Sequence, residues 1–192
     1  MIDPETLTEE GRLFYIDQYL GIFNATLVDV FGEKIPKKLW EDDLVFCFYS
    51  TLIISLIDTF FPKNNKVYKE TVLRNMFSNF DKDNIDFFVN KIVELQKIDF
   101  SNKCIRGQDI ADKCISIALN NEKYKFPKDI EIHAAFLKKD IYLEYFNSWD
   151  NAFKELFKNT SENPVFERFF ISVGFYIENI HEHIRANINN YV

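Results

Sequence analysis

DDLVFCFYSTLIISLIDTFF, residues Asp42–Phe61, opens on two acids, runs almost wholly apolar and stops at Pro62. From Leu44 to Phe61 the clearly polar residues are Ser50, Thr51, Ser55, Asp58 and Thr59. The length approaches the roughly 20 apolar residues of a membrane span. Asp58 argues against one, because an acid at membrane depth costs about 2.5–3.5 kcal/mol or more. The flanks Glu41-Asp42-Asp43 and Lys63 lack a basic anchor at one end and an aromatic girdle, and the chain has no second such segment to pair with. A helix that is apolar nearly all round is otherwise the buried centre of a globular bundle. The stretch therefore predicts an all-α, single-domain bundle of about six to eight helices around a central apolar helix, 42–61. No membrane insertion is expected.

Thr51, Ser55 and Asp58 stand at i, i+4 and i+7, which puts them on one narrow polar stripe of that helix. Two readings of the stripe follow. In one, the hydroxyls bond back to carbonyls a turn earlier, and Asp58 is part-exposed or paired with a base. In the other, the stripe lines a polar pocket inside the bundle.

Ahead of the central helix, Thr6 with Glu9 resembles a capping box, and a helix follows to about Phe31. Its apolar residues Leu13, Ile16, Leu20, Phe23, Leu27 and Val30 step by three and four, as in a helix packed along its length, and Gly32 closes it. Beyond Pro62, a third helix carries Tyr68, Val72, Leu73, Met76, Phe77 and Phe80. Asp81 or Asp83 caps a fourth with Ile85, Phe88, Ile92 and Leu95. Asp99–Gly107 reads as a loop and a sub-boundary, with a fifth helix over Asp109–Leu119. A sixth starts at Pro127 with the stripe Ile130, Ala134, Leu137, Ile141 and Tyr145. It continues, after a break at Asn147-Ser148, through Trp149, Phe153 and Leu156. The last starts at Asn163-Pro164 and repeats Phe166, Phe170, Val173, Ile177, Ile180, Ile184 and Ile188. No convincing β-pattern appears, and the aromatic stripes read as core.

Of the 192 residues, 47% are hydrophobic and 17% aromatic, which suffices for a substantial core and is too apolar for disorder. The formal net charge of −7 repels a phosphate backbone on average, and the lysines form no run longer than two, so nucleic acid is disfavoured. Cys47, Cys104 and Cys114 are odd in number and lack paired spacing, which reads as free thiols in a reducing compartment. The acidic start MIDPETLTEEGR has no apolar h-region, so a cytoplasmic protein is expected.

The densest ionisable cluster is Glu178-Asn-Ile-His181-Glu182-His183-Ile-Arg185. On a regular helix Glu178 and His181, at i and i+3, face the same way, the spacing by which di-metal bundles donate a Glu-x-x-His unit. Such a site needs two of these units, and the chain has one. Asp58 and His133 are the possible companions. The competing account is a solvated flank trading weak ion pairs. Asp81-Lys-Asp83-Asn-Ile85-Asp86 fails as a calcium loop, since Ile85 takes a ligand position, Asp86 the turn glycine and Ile92 the closing Glu. No phosphate-cradling glycine loop, G-x-S-x-G elbow, H-E-x-x-H or paired CxxC is present. No catalytic residue and no cofactor are assigned. The expectation is a non-catalytic acidic helical protein that binds a macromolecular partner, as a regulator, inhibitor or immunity-type protein, with self-association included. The alternatives are a metal-dependent enzyme using Glu178, His181, Asp58 and His133, or a bundle that binds a small apolar ligand.

Overall fold

The computed structural model describes residues 6–64, 66–95, 100–119 and 172–192. Among these the protein is helical and contains no strand. The first helix, α1 (Glu9–Phe31), is capped by Thr8, whose hydroxyl accepts the Gly11 amide at 3.1 Å, with Glu9 and Glu10 in the first turn. The cap therefore lies two residues beyond the expected Thr6. Gly32 ends the helix at φ +71°, and its N–H returns to the Val28 carbonyl at 2.7 Å. That left-handed geometry is cheap for glycine and costly for any residue with a Cβ.

A 3-10 turn, Lys37–Glu41, carries Leu39 and Trp40 into the core, and α2 (Asp43–Phe60) follows. Asp42 caps α2 by accepting the Leu44 amide at 2.9 Å. Residues Leu44–Ser50 are buried without a break, so the first two turns of α2 are enclosed on every side. The central helix of the sequence is thus the core of the fold. The stripe Thr51, Ser55 and Asp58 lies on its outer edge, half-buried at first and exposed at Asp58.

The nearest neighbour of α2 is α5 (Asn102–Leu119). Here the expected loop over 99–107 is corrected: the chain is helical from Asn102, and Ser101 caps it by accepting the Cys104 amide at 3.2 Å. Gly107, expected in the loop, lies inside this helix and faces α2. A Cβ built on Gly107 would stand 2.4 Å from the Leu44 carbonyl oxygen and 2.9 Å from the Phe48 nitrogen. The two backbones meet with no room for a methyl group. One turn away, Cys47 and Cys104 form a disulfide with Cα atoms 5.1 Å apart. This corrects the expectation of free thiols. Spacing could not reveal the pair, because the partners lie 57 residues apart in sequence and meet only through helix packing. Cys114 remains a buried free thiol.

The third helix, α3 (Lys66–Asp81), leads through a 3-10 turn, Lys82–Asn84, into α4 (Ile85–Leu95). Asp81 closes the corner by accepting from Asp83 N at 3.2 Å, Asn84 Nδ2 at 2.8 Å and the Trp40 indole N–H at 2.7 Å. Phe77 and Phe88 stack at 3.5 Å, and Trp40 meets Tyr49, Phe77 and Phe88 edge-on. The C-terminal helix, α6, is α-helical over 172–176, π-helical over Ile177–His181 and α-helical again over Glu182–Ala186, with a last turn Ile188–Tyr191. The expected helix from Pro127 and the start signal at Asn163-Pro164 lie outside the described residues.

Two outcomes test this packing. Gly107→Ala gains about 1 kcal/mol of helix propensity and loses more to overpacking, about 1–3 kcal/mol in typical cores, here against backbone. A lower Tm is expected, and an unchanged or higher one would show that α5 does not sit against α2. For the disulfide, peptide mapping without reductant should recover Cys47 joined to Cys104 with only Cys114 alkylated. Reduction, by the loop-entropy estimate, should cost about 4 kcal/mol and lower the Tm measurably.

Candidate functional site

The residues able to carry chemistry gather where α6 crosses α1 and the start of α2. The π-turn decides their orientation. One extra residue in the turn brings Tyr176, Ile177, Ile180 and His181 all into the core and leaves Glu178 half-buried at the edge. Glu178 and His181 thus stand on a π-turn rather than on the regular helix assumed for their i, i+3 spacing, one half-buried and the other buried. His181 is fully buried, 6.3 Å from the Tyr176 ring, and hydrogen-bonds the Thr26 backbone. Burial, reinforced by the Arg185 charge and only partly opposed by Asp29, pushes its pKa down to about 4. At neutral pH it is an uncharged ring in the core.

Asp58 lies elsewhere. Its side chain is 58% exposed and bonds Lys69 Nζ at 2.6 Å, the solvated, base-paired arrangement of the two readings of the stripe. His133 is outside the described residues. The structure thus brings together none of the described candidates Glu178, His181 and Asp58.

Two constellations that sequence reasoning missed are present instead. In the first, Asp42 Oδ2 accepts from His183 Nε2 at 2.9 Å and from the Tyr191 hydroxyl at 2.8 Å, while Oδ1 caps α2. Burial raises the Asp42 pKa, but the bonds from His183 and Tyr191, the His183 charge and the Leu44 amide outweigh it and hold the carboxyl below its usual value. His183 Nδ1 faces the Asn187 amide nitrogen at 3.4 Å, and that amide also donates to the His183 carbonyl at 2.8 Å. Nε2 thus faces Asp42 and Nδ1 faces the Asn187 amide, so both ring nitrogens are engaged. The dyad resembles a general base in composition, but its proton positions are spent on holding the last turns of the chain to the head of α2. Asp42 was recognisable as an acid opening the helix, and its remote partners were not.

The second is a buried chain of hydroxyls. Tyr49 OH lies 2.8 Å from Tyr176 OH, which lies 2.6 Å from Thr26 Oγ1, and Thr26 donates to the Phe23 carbonyl at 2.6 Å. A carbonyl only accepts, so Thr26 must give its proton there, Tyr176 donates to Thr26, and Tyr49 donates to Tyr176. A parallel chain runs from the Tyr19 hydroxyl to Ser172 Oγ at 2.7 Å and on to the Cys114 carbonyl at 2.8 Å. Burial lifts the pKa values of Tyr19, Tyr49 and Cys114 well above their usual range, which makes them poor nucleophiles and poor acids.

Beside His181, an open hollow of about 530 Å³ is lined by Asp29, Val30, Arg185 and Ile188. Among the described residues no three of His, Cys, Asp and Glu converge as metal ligands would. No protein-family model, curated protein or solved structure matches the chain.

His181 makes the pH dependence calculable. Its folded pKa, about 4, lies below the ordinary 6.5, so the unfolded chain takes up a proton that the folded chain refuses. Stability should fall as pH drops from 6.5 to 4, by on the order of 3 kcal/mol in full, and that loss should then level off. The Asp42 contribution, from a depressed carboxyl, is lost only below pH about 4. Tm measured between pH 7 and 4 should show a steeper fall in the wild type than in His181→Phe. Parallel curves would exclude a buried neutral His181.

Proposed function

We propose that this chain is a non-catalytic, acidic helical protein that acts by binding a protein partner, as a regulator, inhibitor or immunity-type protein. The observation that carries the reading is that both groups rich enough for chemistry are closed on themselves. Asp42, His183, Tyr191 and Asn187 satisfy one another, and the tyrosyl hydroxyls end in backbone carbonyls. Such networks fix geometry, and they offer neither a poised base nor an activated nucleophile. The metal-dependent alternative has less support, since among the described residues no three of His, Cys, Asp and Glu converge.

The net charge of −7 favours a basic protein surface over nucleic acid. Asp43–Phe60 is long and apolar enough to cross a membrane, and 67% of it is buried within the protein, which supports a core helix rather than a span. Placement in the cytoplasm loses one of its two grounds with the Cys47–Cys104 pair, since disulfides persist mainly in oxidising compartments. The state of that pair in protein from its native source decides the compartment.

Affinity purification of the full chain from native lysate, at low and at high salt, tests the proposal. A stoichiometric second polypeptide at low salt, reduced at high salt, is the expected result. Recovery of the chain alone at both salt concentrations would overturn it.

A further inference from the structure

Among the described residues, helix α1 buries one face and exposes the other. Its exposed side carries Phe14, 61% exposed, and Val28, 43% exposed, with Gly21 midway between them. Steps of seven residues keep all three on nearly one line, drifting about 20° per heptad, and Ala25 sits half-buried beside them. The stripe from Phe14 to Val28 is about 21 Å long at 1.5 Å per residue. No atom lies within 4 Å of where a Gly21 Cβ would stand, so the middle of the stripe is a shallow saddle open to solvent. A helix laid along it could bring its backbone close at that point.

The exposed charges that α1 itself places around the stripe are acidic, while Arg185 of α6 lines the hollow at its C-terminal end. Glu10, Asp17 and Asp29 are exposed along it. Asp17 accepts from the neutral Asn79 Nδ2 at 2.7 Å, a bond that leaves its charge uncompensated. The helix's single cation, Arg12, is turned the other way, donating to the Phe60 carbonyl at 3.1 Å with its guanidinium 5.9 Å from the Phe61 ring centroid. At the C-terminal end, Asp29 also lines the 530 Å³ hollow with Val30, Arg185 and Ile188, large enough to take an anchoring side chain.

We infer that the outer face of α1 is the docking surface for a basic amphipathic helix of the partner. Its apolar residues, at i, i+3 or i+4 and i+7, cover Phe14, Gly21 and Val28, and its Lys and Arg residues meet Glu10, Asp17 and Asp29. A second copy of this chain is the poorer occupant, because pairing α1 with itself brings two acidic faces together. The inference rests on the partner reading above and adds where, and with what chemistry, that partner is held.

The test uses the full chain and two synthetic helices, a Leu/Lys amphipathic peptide and its Leu/Glu counterpart, with binding measured by titration and mapped by amide hydrogen exchange. The Leu/Lys helix should bind, protect the α1 amides around residues 14–28, and weaken with salt. Phe14→Ser with Val28→Ser should lower its affinity about tenfold or more. Val67→Ser with Val93→Ser, exposed positions on α3 and α4, should leave it unchanged. All four sites are exposed, and thermal melts confirm that the variants fold. Equal binding of the two peptides, protection away from α1, or equal loss in both double variants would overturn the inference. So would a concentration-dependent dimer lost in the Phe14/Val28 variant. The lysate purification decides the partner reading independently: a stoichiometric partner whose binding survives Phe14→Ser/Val28→Ser keeps that reading and removes this one.

Discussion

The contact between Gly107 and the α2 backbone sets the spacing of the core. A methyl group there would collide with the Leu44 carbonyl, so α5 approaches α2 as closely as two helices can in this fold. The approach buries the polypeptide of α2 over Leu44–Ser50 and brings Cys47 within bonding reach of Cys104. It also explains why α2 can be apolar on almost every side. A face that meets another helix's backbone has no water to bond, and helical backbone satisfies its own amides. With both thiols buried, the disulfide is shielded from attacking thiolates, whose access governs exchange.

How much of this the sequence disclosed depends on the range over which each feature is decided. Local signals were legible: the run Asp42–Phe61 opening on acids, the close of α1 at Gly32, and the α1 face Ile16, Leu20, Phe23 and Leu27 all appear as expected, while Asp81 caps the 3-10 turn ahead of α4 rather than α4 itself. Gly107 misled, because an isolated glycine beside a polar segment reads as a loop breaker. In this fold it is a contact point, and only the partner helix reveals that. The π-turn was invisible for the same kind of reason. The sequence around Ile177–His181 carries a regular apolar spacing, and the extra residue is stabilised by tertiary packing. The i, i+3 spacing of Glu178 and His181 was therefore read on a regular helix where the chain makes a π-turn.

The polar network needs a different explanation, since burying hydroxyls in a phenylalanine-rich core adds little net stability. Apolar packing alone leaves a helix free to slide or rotate by a residue at small cost, because Phe, Ile and Leu make similar contacts in several registers. Hydroxyl chains do not tolerate such shifts. Tyr19 reaches Ser172 and Thr26 reaches Tyr176, a seven-residue step on α1 against four on α6. A slip of either helix would strand buried donors, at about 1–3 kcal/mol each. The two chains thus specify the register and crossing of α6 over α1.

The same reasoning bears on what α6 does at its end. Asp42 is bound by two side chains of the last turns and by the first amide of α2, so one carboxylate couples the C-terminal segment to the head of the core helix. Lys91 reinforces that point from α4, donating to the Trp40 carbonyl at 2.9 Å with its ammonium 4.5 Å from the Phe46 ring centroid. These charges are turned inward and matched. The acids of the outer α1 face lie on the opposite side of that helix from Phe23 and Leu27, which it buries in the core. Among the described residues, that surface keeps Phe14 and Val28 in water beside Glu10, Asp17 and Asp29, and it adds nothing to the core. Among the described residues the polar groups are thus closed on one another within the core, and the exposed acids of α1 stand outside it.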